Sequence, residues 1–161
     1  MNLDSMIKRG QFPWQPRPEA TELDVWHEYE IPLTGTFRLS GHLVLFTQVL
    51  ESSHGLSAWA YVRLEPEEGD EASTITFAST DEMREFVEDR FQGREVVLTL
   101  AKDDRIIDRW TRSRVREDLS SAVEDFLNGI IRSVDEVLDP EQRIRAKFAS
   151  LEAAGSELAS A

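Results

Sequence analysis

What most restricts the possible folds of this chain is a change of hydrophobic rhythm. Up to Trp110 the apolar residues come in short runs rich in β-formers, several alternating with polar residues; from Leu119 they recur three and four positions apart. Alternation sends side chains to the two faces of a strand, whereas the wider spacing gathers them on one stripe of a helix. A chain that does first one and then the other is expected to be α+β. The expected architecture is an antiparallel sheet of about five to six strands, with one short mid-chain helix and two C-terminal helices packed on it.

The strand candidates follow one another with little chain between them. Residues 26–33 form a mixed apolar segment broken by Pro32, and residues 36–39 lead into the turn dipeptide Ser40-Gly41. Residues 42–50 and 56–64 are rich in β-formers, and residues 52–55 join them as a loop. Connections this short leave no room for crossover helices, so the strands are expected to form an antiparallel meander. Ile75 and Phe77 alternate with polar residues over 73–78, which predicts a further strand with one wet face. Residues 94–101 and 105–110 make a last pair around Lys102-Asp103-Asp104, whose aspartates suit a hairpin turn. Val96, Val97, Leu98 and Leu100 mark an interior strand, and Ile106, Ile107 and Trp110 are expected to fill the core beside it.

The helices are readable from their ends as well as their period. Ser79 can cap a helix, with Glu82 three residues on to complete a capping box; Met83, Phe86, Val87 and Phe91 keep helical spacing, and Gly93 offers a stop. In the last third, Leu119, Ala122, Val123, Phe126, Leu127, Ile130, Ile131, Val134, Val137 and Leu138 hold one stripe across twenty positions. Asp139-Pro140 followed by Gln142 ends that helix and starts a second, reaching about Ala154, with Ile144, Phe148 and Leu151 as its stripe.

Ahead of the sheet the pattern is different. Pro13, Pro16 and Pro18 surround Trp14 and remove backbone donors, so residues 1–21 are expected to form an extended arm. Phe12 and Trp14 would then lie on the domain surface as anchors. The remainder reads as a single α+β domain over residues 22–154, with sheet and short helix in 22–110 and the helical segment in 113–154; residues 155–161 read as a flexible tail.

Composition excludes several function classes. The absence of cysteine from the 161 residues removes disulfides, thiolate metal sites and cysteine nucleophiles. No apolar run reaches the ~18 residues of a membrane span, and residues 1–10 contain no apolar core of a secretory signal, so the expected compartment is the cytoplasm. A net charge of −13 opposes attraction to nucleic acid and to anionic lipid, and permits a basic partner. Fifteen arginines against three lysines, with asparagine only at Asn2 and Asn128, fit the codon bias of a GC-rich genome.

The motifs of catalysis are missing. His27, His42 and His54 are scattered, and Ile31 stands one helical turn after His27-Glu28, where a zinc protease would need its second histidine. Ser53-His54 has no G-x-S-x-G around it. Residues 65–71 hold five acids in seven positions but not the order of a calcium loop, and are expected to be a solvated loop. Neither phosphate-cradling glycine motif occurs, so no catalytic, metal or cofactor-binding residue is expected, and no cofactor. One segment departs from the acidity: Arg105, Arg109, Arg112, Arg114 and Arg116 form a candidate anion-binding cluster, interleaved with Asp104, Asp108, Glu117 and Asp118.

The expected function is therefore that of a non-catalytic protein-interaction domain. An acidic partner of another bacterial protein, of the immunity, chaperone or adaptor type, would have this profile. The counterpart would be a protein of basic character or a second copy of the chain, with no membrane role and nucleic acid disfavoured. Candidate partner-binding residues are Phe12 and Trp14 of the arm and Phe148 and Leu151 of the last helix. The alternative is an anion- or nucleic-acid-binding protein, or a small enzyme, that uses the arginine cluster.

Overall fold

The computed structural model describes residues 2–52, 55–130, 148 and 151. Six strands pair in sequence order to make one antiparallel sheet: β1 (Thr21–Tyr29), β2 (Ile31–Leu39), β3 (His42–Glu51), β4 (Leu56–Leu64), β5 (Val96–Lys102) and β6 (Arg105–Arg112). Helices α1 (Pro66–Thr74) and α2 (Thr80–Phe91) fill the connection from β4 to β5, and α3 (Leu119–Ile130) follows β6. The α+β class and the meander are as expected. Of the second C-terminal helix, only Phe148 and Leu151 fall within the described residues; both are helical and buried.

The turns explain the register. Ser40 and Gly41 have φ of 51° and 78°, and Asp103 and Asp104 have 49° and 63°; such left-handed pairs match the twist of the strands they join. Between β1 and β2 the chain reverses at Glu30, φ 64°, with Tyr29 opposite Ile31. No glycine or asparagine announces that turn, which is why residues 26–33 read as one segment. Pro32 is harmless in β2 because it faces Glu28 of β1, while pairing with β3 begins only at Thr34.

Two local expectations are corrected. Residues 65–71 are not a solvated loop: Pro66 occupies the first turn of α1, and the Glu65 backbone N–H donates to Glu68 Oε1 at 3.1 Å. Residues 73–78 are not a strand: α1 runs through Thr74, and Phe77 then packs edge-on to Phe86 (5.5 Å between ring centroids) and against Trp26 (5.6 Å). The α2 start is as read, with the Glu82 N–H donating to Ser79 Oγ at 3.1 Å, although the Glu82 carboxylate reaches back to the Ala78 N–H.

The sheet is buried on both faces. On one, Ala58, Ala60, Val62 and Leu64 of β4 and Val96, Leu98 and Leu100 of β5 meet α2 (Met83, Val87, Phe91) and α3 (Leu119, Ala122, Val123, Phe126, Leu127), joined by Phe148 and Leu151. On the other, Phe37, Val44, Phe46, Trp59, Tyr61, Val97 and Ile106 meet Leu3, Met6 and Ile7. Residues 2–20 are therefore a third layer rather than a surface anchor, with Met6 and Ile7 fully buried. This accounts for the nearly unbroken apolar runs of β4 and β5, which a sheet wet on one face would not need. Burying each large aliphatic of the arm contributes about 1.5–3 kcal/mol. Trp110 does not fill the core: it is 40% exposed and packs edge-on to Phe126, centroids 5.6 Å apart.

Candidate functional site

Three of the five clustered arginines make intramolecular contacts. Arg109 donates to the backbone carbonyls of Asp4 (2.5 Å) and Ile7, and Thr111 Oγ1 donates to the Asp4 carboxylate at 2.9 Å. Arg105 lies over the Phe12 ring, 3.8 Å from its centroid, and donates to the Gly10 carbonyl at 3.3 Å. Arg112 pairs with Glu117 at 3.0 Å and with Asp125 of α3 at 3.7 Å. Arg114 and Arg116 are exposed. The strand period explains this arrangement: β6 is an edge strand, and the arm closes over it through Gly10 N–H to Ile106 O (2.8 Å) and Ile106 N–H to Gln11 O (2.9 Å).

The candidate partner-binding residues lie largely inside. Phe12 stacks on Trp14 at 5.0 Å, Trp14 contacts Trp59 at 6.2 Å, and both are half-buried. The Tyr61 hydroxyl, itself buried, donates to the Pro13 carbonyl at 2.7 Å and holds this turn down; burial pushes the phenol well up. Phe148 and Leu151 are 4% and 6% exposed within the helix-side core. His27 lines a cleft described below, and His42 sits at the start of β3; Ser53 and His54 lie outside the described residues.

A different region stands out by charge and shape. Residues 21–30 carry four carboxylates and no lysine or arginine, and residues 65–92 carry ten against Arg84 and Arg90; residues 93–116 carry seven lysines and arginines against four acids. Trp26 of β1 touches Phe77 and Phe86, so β1, the α1–α2 connection and α2 form one side of the molecule. Glu22, Asp24, Glu28 and Glu30 are all exposed there, beside Leu23 at 44% and Tyr29 at 75% exposure. Several acids of this side are already paired: Glu22 with Arg38 at 2.8 Å, Glu71 and Asp89 with Arg90 at 3.3 and 2.7 Å, and Glu68 in a bidentate pair with Arg94 (2.7 and 2.5 Å) and a contact with Arg90 at 3.5 Å. Burial of Glu68 would push its carboxyl up. The Arg94 bond, the Glu65 N–H and the two guanidinium charges outweigh that and hold it below its ordinary value.

Between strands β2 and β3 and helices α2 and α3 the surface is concave. A cleft of about 560 Å³ has Leu33, Val49, Met83, Val87 and Leu119 in its walls, and His27, Gln48, Glu51, Arg84, Glu88 and Ser120 among its polar lining. A second hollow of about 430 Å³, lined by Trp26, Phe77 and Ser79 among others, shares His27 and Met83 with it. In its lining the buried Thr34 and Thr47 bond each other at 2.9 Å. Glu88 fixes the gap between α2 and α3 by accepting the Leu119 N–H at 3.3 Å. Burial, aided by the nearby Asp118 charge, pushes the Glu88 carboxyl up despite that bond. The Ser121 N–H bond to Asp118 caps α3 and lowers the Asp118 carboxyl.

Sequence reasoning missed this groove because its residues come from β1, β2, β3, α2 and α3, with no shared motif. The acids at positions 22, 24, 28 and 30 mark the neighbouring strand β1 and are not part of the groove's lining. Among the described residues no group of three or more His, Asp or Glu side chains is placed to hold a metal ion, and no helix is long and apolar enough to cross a membrane. Comparison with protein-family models, with curated proteins and with solved structures found no match.

Proposed function

We propose that this protein is a non-catalytic interaction domain whose acidic side, formed by β1, α1 and α2, receives a basic protein. The observation that carries the reading is the segregation of charge: fourteen carboxylates and two arginines in residues 21–30 and 65–92, against a basic excess in residues 93–116. A field of one sign concentrated on one side steers an oppositely charged partner and repels the wrong ones. Leu23 and Tyr29 stand exposed among these acids, which gives the face apolar anchors inside a charged rim. The arginine cluster has less to offer a ligand, because Arg105 and Arg109 hold the arm and Arg112 pairs with Glu117 and Asp125.

The test is affinity recovery from the native host with the wild-type chain and with a Glu28→Gln, Glu30→Gln, Glu85→Gln variant, all three being exposed carboxylates. One stoichiometric basic companion is expected, released as salt rises and lost from the variant. Recovery of the same companion by the variant at the same salt would overturn the reading, and so would the absence of any stoichiometric companion.

A further inference from the structure

The geometry points to the groove that β2 and β3 form with α2 and α3 as the seat of a partner segment that presents a large apolar side chain flanked by lysine or arginine. The inference rests on the acidic-side reading and names where on that side the partner enters. Two observations converge. The half-buried Leu33, Val49 and Leu50 present apolar surface to a cleft of about 560 Å³, a volume suited to one or two aliphatic or aromatic side chains. The lining carries Glu51 and Glu88 against Arg84 and His27, and the exposed carboxylates Glu28 and Glu85 directly follow His27 and Arg84 in the chain.

An anchor residue docks well where it is desolvated in a pocket whose rim pairs its neighbours. The cleft supplies the pocket, and the carboxylates supply partners for cations. A negatively charged segment would meet the like charges of Glu51 and Glu88, so it is disfavoured by the same groups that attract a basic one. Because His27 and Met83 line both hollows, a segment leaving the larger cleft can continue along β1 toward Trp26 and Phe77.

The experiment uses the full chain and three fluorescein-labelled peptides: Lys-Leu-Lys-Phe-Lys-Leu-Lys, the same peptide with serine at its apolar positions, and the same with glutamate for lysine. Fluorescence anisotropy is expected to show binding of the first, weakened about tenfold or more in the other two. Ser120→Trp fills the mouth from an exposed position on α3, and Glu51→Lys reverses its rim; circular dichroism checks that both remain folded. Each is expected to weaken the first peptide at least about tenfold. Amide shifts in a ¹⁵N correlation spectrum are expected at Leu33, Val49, Val87 and Ser120.

Equal binding by wild type and both variants, or amide shifts confined to the arm or the outer edge of β1, would overturn the groove. If the companion protein is still lost from the Glu28→Gln, Glu30→Gln, Glu85→Gln variant in that case, the acidic-side reading stands without it. Sedimentation showing self-association abolished by Ser120→Trp would assign the groove to a second copy and likewise overturn the proposal.

Discussion

Replacing Ile7 by alanine tests whether the N-terminal segment belongs to the folded core. Ile7 has no exposed surface and packs in the layer that covers Phe46, Trp59 and Tyr61. Truncating a fully buried isoleucine to alanine costs about 2–5 kcal/mol, the spread reflecting how far the surroundings collapse into the gap. The segment here is irregular and can settle, so about 2–3 kcal/mol is expected. For a domain with ~5–15 kcal/mol of stability this is a large share. With a urea m-value of ~2 kcal/mol per molar, the midpoint should fall by ~1–1.5 M. Urea unfolding followed by both tryptophan fluorescence and circular dichroism measures it, since Trp14 and Trp59 report on this layer from 6.2 Å apart. Lys8→Ala, at an exposed neighbour, is the control and should move stability by less than ~0.5 kcal/mol. If Ile7→Ala and Lys8→Ala have the same midpoint, the segment is not part of the cooperative unit and the three-layer account fails.

Other perturbations separate other parts of the fold. A Cβ on Gly35 would fall onto the Asp24 carbonyl of the bulged β1, so Gly35→Ala should destabilise by about 1–3 kcal/mol in the same unfolding assay. Ser79→Ala removes the acceptor for the Glu82 N–H and should cost about 0.5–2 kcal/mol. Glu68 titrates below its ordinary 4.5 in the fold, so its contribution is present above the unfolded value and is lost as pH falls through the folded one; Glu68→Gln should be the less stable at pH 7 and converge with wild type in acid. Glu88 has the opposite sign: its folded value lies above 4.5, so wild type loses stability as pH climbs through that window, and Glu88→Gln should gain on it from acid to neutral pH. Parallel thermal melts across pH check both, and matched pH profiles for the two variants would contradict the assignments.

Strands bounded by recognisable turns were legible in the sequence. β4 coincides with residues 56–64, and the aspartates of the last hairpin take the left-handed backbone their positions implied. What escaped was structure without local punctuation. The β1–β2 turn rests on Glu30, a residue with no turn preference of its own, held by the pairing of Tyr29 with Ile31. The helix at Pro66 was hidden by its acids, although Pro66 after Glu65 and before Glu68 has the same spacing as the helix start read at Asp139-Pro140-Gln142. Ile75 and Phe77 alternate like a strand but follow a helix and pack on Trp26 and Phe86, so tertiary contact overrode the pattern. The arginine cluster was visible, but its partners lie as far away as Asp4, and contacts spanning that distance leave no mark in local sequence.

The layer formed by residues 2–20 also sets an order on how the molecule is made. Asp4 bonds Thr111, 107 positions later, so the segment that emerges early from the ribosome waits for nearly the whole sheet before it can dock. Contacts between such distant residues close slowly. Until β6 is in place, Phe46, Trp59 and Tyr61 face water on the uncovered side of a partly assembled sheet. That interval, more than any property of the finished domain, is when a nascent copy is open to capture by a chaperone or to sticking to its neighbours.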